Sequence, residues 1–134
     1  MHWGKFALAV FCGGAVSSMT DWLFMGDFVY KRFDKHPEIW RVSGGKNETS
    51  AIAWSSVLPF FTCAVFELIC IRQHAVSWAP AMTLAIAIWL AVALPLLIAN
   101  AIWIKVSAPI TASHSAGWLV KLLIAAASAV LIAS

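Results

Sequence analysis

The sequence predicts an all-α membrane protein in which four transmembrane helices form an antiparallel bundle. Hydrophobic residues make up 62% of the 134 residues and charged residues only 11%, far below the ~25% charged residues of average soluble domains. The apolar residues form four stretches, each long enough to cross a bilayer as a helix. The chain is therefore predicted to be a single transmembrane domain with no additional soluble domain. The stretches comprise residues 6–25, 51–71, 79–104 and 116–133.

The connection between the first two stretches, residues 26–49, is predicted to begin with a short helix in the membrane interface. Over residues 25–35 the apolar side chains recur at helical spacing, and the charged side chains take the opposite face. This pattern is typical of an amphipathic helix that lies on the bilayer rather than across it. The apolar positions are Met25, Phe28, Val29 and Phe33.

Two prolines lie inside the predicted second and third helices. Pro59 and Pro95 are each about eight residues from the same end of the bundle. Each proline removes a backbone hydrogen bond and favours a kink. Two kinks at one depth would open a cavity. The alternative is that the bundle simply tolerates them, as membrane helices commonly do.

Basic residues are distributed unequally between the two sides of the predicted bundle. The side that holds both termini carries Lys5 and Arg72, whereas the opposite side carries six basic residues. Because cytoplasmic loops are enriched in Lys and Arg, the long connection is predicted to be cytoplasmic and both termini extracytoplasmic. The six residues are Lys31, Arg32, Lys35, Arg41, Lys46 and Lys105.

The first and fourth helices each carry one charged residue within the apolar stretch. A charge at the centre of a membrane helix costs about 2.5–3.5 kcal/mol, so each requires a partner or a function. Asp21 and Lys121 fall at the same depth, and small residues repeat every four positions on both helices, which allows close approach. We therefore predict that these helices pack together and that Asp21 pairs with Lys121. The small residues are Ala9, Gly13, Ser17, Gly117 and Ala125.

Two further polar residues, Asn100 and His114, are predicted to lie at the same end of the bundle. Imidazole titrates near neutral pH and is the side chain best suited to handling protons there. With Asp21 and Lys121, these residues form a candidate site for an ion, a proton or a small solute. The alternative is a structural ion pair beside a solvated or capping histidine.

Glu67 is predicted to belong to a second polar cluster at the opposite end of the bundle. Arg72 and Lys5 are the basic residues within reach if the helices adjoin. We expect an ion pair that anchors the helix ends, with an outer vestibule as the alternative.

The sequence offers no pattern for catalysis or for a cofactor. Its three cysteines, Cys12, Cys63 and Cys70, lack histidines at metal-ligand spacing, so no metal site and no disulfide framework are predicted. No nucleophile and base are paired, and an enzyme is not expected. The net charge of +3 comes mainly from one connection and bears on lipid headgroups, so no nucleic-acid partner is predicted.

Two short motifs resemble a family of uncharacterised small bacterial four-span inner-membrane proteins, a domain of unknown function. The first motif covers residues 22–28 with Trp40 after it, and the second covers residues 114–121. The resemblance implies a multi-pass protein of the bacterial inner membrane and no particular activity.

Two functions remain open at this stage. One is a small channel or transporter for an ion, proton or small solute, acting as a homo-oligomer in the lipid bilayer. The alternative is a non-catalytic accessory or assembly subunit whose small-residue stripes bind other membrane helices.

Overall fold

The computed structural model describes residues 2–31, 45–104 and 106–133, and in these ranges it is helical apart from short connections, with no β-strand. Four of its helices are long and apolar enough to cross a membrane. We call them spans 1 to 4. The predicted all-α class is therefore confirmed, and the four helices fit a multi-pass membrane protein by their length and composition. The spans are Trp3–Val29, Glu48–Arg72, Trp78–Trp103 and Ala108–Ala133.

Span 1 is longer than the hydropathy pattern predicts. Its α-helix, Trp3–Asp21, continues without a break into a π-helix, Trp22–Tyr30. The extension is held by span 4, because the Ser113 hydroxyl donates a hydrogen bond to the Phe24 carbonyl oxygen at 2.9 Å and Val29 is buried. The start of the predicted interfacial helix thus continues span 1, and residues 32–35 of it lie outside the described residues.

Spans 2 and 3 accommodate their prolines differently. Span 2 belongs to one α-helix, Gly45–Arg72, with Pro59 buried inside it. Span 3 consists of an α-helix, Trp78–Ile88, a π-helix, Trp89–Ala93, and a second α-helix, Leu94–Trp103. Pro95 lies two residues after the end of the π-helix and is exposed. Proline has no N–H to donate, so the regular α-helical hydrogen bond to the preceding turn is absent at Pro95. The wider turn of the π-helix lies just before this position.

A compact turn joins spans 2 and 3. His74 adopts the left-handed conformation at φ 54°, and the Ala75 N–H donates to the Cys70 carbonyl oxygen at 2.8 Å. The His74 N–H also donates to the Ile71 carbonyl oxygen at 3.3 Å. These two bonds form a Schellman motif, which satisfies the last carbonyl groups of span 2 and reverses the chain.

Span 4 is the central helix of the described structure. It consists of an α-helix, Ala108–Ser128, and a π-helix, Ala129–Ala133, and it packs against spans 1, 2 and 3. Span 3 packs mainly against span 4 and is the least buried of the four. Its outer face ends at Trp103, which is 87% exposed, as expected of a side chain that faces lipid. The core joins spans 2, 3 and 4 through Cys63, Phe66, Cys70, Ala81, Ala85, Leu122, Ala125, Ala126 and Ala129.

Small residues allow spans 1, 2 and 4 to approach closely. A Cβ atom added to Gly13 would lie 2.7 Å from Ser128 Oγ and 3.4 Å from Cys63 Sγ, so all three helices meet at this glycine. A Cβ atom at Gly14 would overlap the Phe60 ring. The small residues that the sequence assigns to helix packing are all buried, namely Ala9, Gly13, Ser17, Gly117 and Ala125.

Candidate functional site

The structure brings Asp21 of span 1 and Lys121 of span 4 together. Lys121 Nζ lies 2.6 Å from Asp21 Oδ2, and the two side chains are 8% and 25% exposed. Such a distance identifies a charge-assisted hydrogen bond. The pair explains how span 4 holds a lysine among apolar neighbours, since a buried charge is tolerated when an opposite charge meets it.

Neighbouring groups on span 4 position the Lys121 side chain. Its Nζ atom lies 4.4 Å from the centre of the Trp118 ring, within range of a cation–π interaction. One turn earlier, Gly117 faces Phe24 of span 1, and a Cβ atom added there would lie 3.5 Å from Phe24 Cβ. The lysine is therefore held from two directions, by the Asp21 carboxylate and by an aromatic face.

Asp21 and Lys121 both line a cleft of about 1070 Å³ between spans 1, 2 and 4. Along span 2 the cleft extends from Glu48 to Ile69, which corresponds to roughly 30 Å at 1.5 Å per residue. This length matches the hydrocarbon thickness of a bilayer. The wall from span 2 is mostly apolar and includes Leu58, Phe61, Val65 and Phe66.

Charged and polar side chains are concentrated at one end of the cleft. His114 lines it beside the ion pair and is half-buried. Asp27 and Lys31, one helical turn apart on the extension of span 1, form a second ion pair there. Ser18 joins spans 1 and 2 at this end, because its hydroxyl donates to the Ser56 carbonyl oxygen at 2.8 Å. The cleft thus combines a polar end with an apolar body.

Asn100 is not brought to this site. It is exposed on span 3 and does not line the cleft. Span 3 packs on a different face of span 4, where the Trp89 Nε1–H donates to the Ser115 carbonyl oxygen at 2.9 Å. Asn100 is predicted to belong to the site because it lies at the same depth as Asp21 and Lys121. Depth alone does not determine on which side of span 4 a helix packs.

Glu67 lies apart from the two basic residues with which it is predicted to cluster. The glutamate is fully buried, whereas Arg72 and Lys5 are exposed. Its Oε1 atom lies 2.5 Å from Ser128 Oγ of span 4. Five residues along a helix turn the side chain by about 140°, so Glu67 and Arg72 point away from each other.

Two polar contacts are not predicted from the sequence, one in the cleft and one in the core. Asp27 and Lys31 were assigned to an interfacial helix, although their spacing of four residues is typical of an ion pair on any helix. Ser128, the partner of Glu67, lies in an alanine-rich run and carries no distinguishing pattern. Its only sequence signal is a spacing of seven from Lys121, which places both on one face of span 4.

The described residues hold no group of three or more His, Cys, Asp or Glu side chains suited to a metal ion. Cys12, Cys63 and Cys70 are free thiols. A scan against protein-family models, a search of curated proteins and a search of solved structures each find no significant match to this chain. The cleft and the buried polar groups are therefore the features of this chain that bear on its function.

Proposed function

We propose that this protein is a small membrane transport protein that takes up an amphiphilic solute into the cleft between spans 1, 2 and 4. The observation that carries the proposal is the position of the Asp21–Lys121 pair, which lies in the cleft wall at its polar end. A purely structural ion pair has no need of a cavity beside it. This pair borders about 1070 Å³ of space.

The chemistry of the cleft favours a zwitterionic head group with an apolar tail. The paired charges are neutral as a unit, so a solute with one charge of a single sign would leave one partner unmatched. A zwitterionic group exchanges its own charges for both halves of the pair. The apolar wall of span 2 then accepts the tail, which passes from lipid to a similarly apolar surface.

The contacts also support the proposed antiparallel arrangement of the spans. Residue numbers rise along span 1 as they fall along span 4, from Gly13 beside Ser128, through Asp21 beside Lys121, to Phe24 beside Ser113. With the distribution of basic residues, this supports an orientation with both termini extracytoplasmic. A reporter that is active only in the cytoplasm is expected to stay silent when it is fused after Ser134.

The proposal includes the bacterial inner membrane and a homo-oligomer. The inner membrane follows from the resemblance of residues 22–28 and 114–121 to small bacterial four-span proteins. In a homo-oligomer, the outer face of span 3 would be the surface available for self-association in place of lipid.

The second candidate function, an accessory subunit, is favoured by the same exposed span 3, which a helix of another protein would cover instead. Purification from the native membrane separates the two candidates. A stoichiometric partner protein supports the accessory subunit, and a homogeneous assembly of this chain supports transport.

The transport proposal can be tested in proteoliposomes with a zwitterionic single-chain phospholipid as the probe. Movement of the labelled probe between leaflets is followed by its extraction with albumin. We expect protein-dependent movement that saturates with probe concentration. A neutral alkyl glucoside of equal tail length serves as the control solute, and the protein is expected to add little to its spontaneous movement.

Two variants sharpen this test. Removal of both charges in the D21A/K121A double variant is expected to abolish saturable movement while the protein stays folded. N100A is the matched control, because Asn100 is exposed and lies outside the cleft. Equal movement in wild type and the double variant, or none in either, would contradict the proposal.

A further inference from the structure

Glu67 is enclosed at the junction of spans 1, 2 and 4 and takes no part in the proposed transport cleft. Its side chain is 0% exposed, and Glu67 does not line the cleft. Ser128 Oγ lies 2.5 Å from Glu67 Oε1, while Glu67 Oε2 has no hydrogen-bond partner among the described residues. An acidic group held this way inside a membrane must be neutralised by a cation, by a metal ion or by a proton.

No described cation faces Glu67 from any of the helices around it. The nearest titratable groups of its own span are the thiols of Cys63 and Cys70, one turn to either side, whereas Arg72 is exposed and points away. From span 1 the junction receives Gly13 and Ser17, which carry no charge. Span 3 contributes Ala81 and Ala85 to the core around Cys70.

On span 4 the nearest basic side chain is already engaged. Lys121 lies seven residues from Ser128, or roughly 10 Å along the helix. Its ammonium group is bonded to Asp21. Lys121 therefore does not neutralise the Glu67 carboxylate.

A metal ion is also a poor match for this junction. The described side-chain oxygen atoms near the carboxylate are the hydroxyl groups of Ser128 and, beside Cys63, Ser17. The remaining neighbours are thiols and apolar side chains. Hard cations such as Ca²⁺ take about six to eight oxygen ligands, which this set does not provide.

The hydrogen bonds around Ser128 favour a proton. Ser128 Oγ also lies 3.0 Å from the Ala125 carbonyl oxygen, so two acceptors compete for its single hydroxyl proton. If Glu67 is ionised, Ser128 serves only one of them and the carboxylate keeps its full charge. If Glu67 carries a proton, it donates to Ser128, and Ser128 donates to Ala125. The proton thus removes the buried charge and allows both bonds to form.

We infer that Glu67 is a neutral carboxylic acid that donates its proton to Ser128, which makes this pair an intramembrane proton-binding site. The ligand is a proton shared between a carboxyl and a hydroxyl oxygen. The site is enclosed by three spans and is separate from the Asp21–Lys121 pair.

Infrared difference spectroscopy of the full chain in proteoliposomes tests this inference. Subtraction of the E67Q spectrum from the wild-type spectrum is expected to give the C=O stretching band of a protonated carboxylic acid. The band is expected at neutral and at mildly alkaline pH, because the group is sealed from water. D27N is the control, since Asp27 is ion-paired with Lys31 and its loss is expected to remove carboxylate bands only.

If E67Q removes carboxylate bands and no acid band, Glu67 is ionised and the inference fails. The S128A variant provides a second measurement that leaves Glu67 in place. Loss of its hydrogen-bond acceptor is expected to move the acid band in frequency, and an unchanged band in S128A would show that Glu67 does not donate to Ser128.

Discussion

Asp21 and Glu67 are two acidic residues in one bundle, and both meet span 4, but their surroundings differ. Asp21 borders the cleft, is partly exposed and forms an ion pair with Lys121. Glu67 is buried between helices, and its side chain has one hydrogen-bond partner among the described residues, the Ser128 hydroxyl. The partner available on the facing helix, rather than depth alone, therefore determines how this bundle accommodates an acidic side chain.

The largest expected effect comes from breaking the Asp21–Lys121 pair. D21A and K121A each leave one buried charge without its partner, and we expect each to destabilise the bundle by about 3–5 kcal/mol. The double variant is expected to be less destabilised than the sum of the two, because no charge remains unmatched. Unfolding in detergent micelles measures all three. Strictly additive losses would show that the two side chains do not interact.

A smaller loss is expected when the helices around Glu67 are pushed apart. G13A places a methyl group 2.7 Å from Ser128 Oγ, and such overpacking costs about 1–3 kcal/mol. The same measurement applies. G4A is the matched control on the same helix, because nothing lies within 4 Å of a Cβ atom there. A loss of similar size in G4A would point to the glycine backbone rather than to the junction.

The amide variants separate the two acids most directly. E67Q replaces one neutral hydrogen-bonding group by another, so we expect a change within about 1 kcal/mol, the net value of a single hydrogen bond. D21N leaves Lys121 without a counter-charge and is expected to behave like D21A. Thermal unfolding of both variants in the same detergent tests this. Similar losses in both would contradict the different charge states assigned to Asp21 and Glu67.

The smallest effect is expected at the ion pair of Asp27 and Lys31. The Lys31 side chain is 72% exposed, and exposed pairs four residues apart on a helix contribute only about 0.3–0.5 kcal/mol. K31A should therefore unfold almost as wild type does, and added salt should erase the difference. A loss comparable with that of K121A would mean that this pair also holds the spans together.

The sequence predicts the spans from the length of the apolar stretches and the Asp21–Lys121 contact from the repeat of small residues. Apolar stretches of sufficient length mark helices in a bilayer, and small residues every four positions mark the face of span 1 that meets span 4. Both signals are local, so one chain is enough to detect them.

The partners of Glu67 and Asn100 and the cleft itself depend on how helices are arranged around span 4. Ser128 differs from its alanine neighbours by one oxygen atom, and no sequence pattern indicates that it faces Glu67. Asn100 shares a depth with Asp21 but lies on a helix that packs elsewhere. The extension of span 1 to Tyr30 likewise depends on contacts with span 4. Such information is tertiary and is absent from local spacing.

The central position of span 4 has a consequence for biogenesis. Of the four spans it is the last to leave the ribosome, yet it supplies the lysine for Asp21 and the serine for Glu67. Until span 4 is inserted, Asp21 and Glu67 remain in the membrane or at the translocon without these partners. At that stage spans 1 and 2 therefore carry acidic side chains without their partners. We expect membrane proteases to recognise this incomplete bundle as they do a misfolded protein.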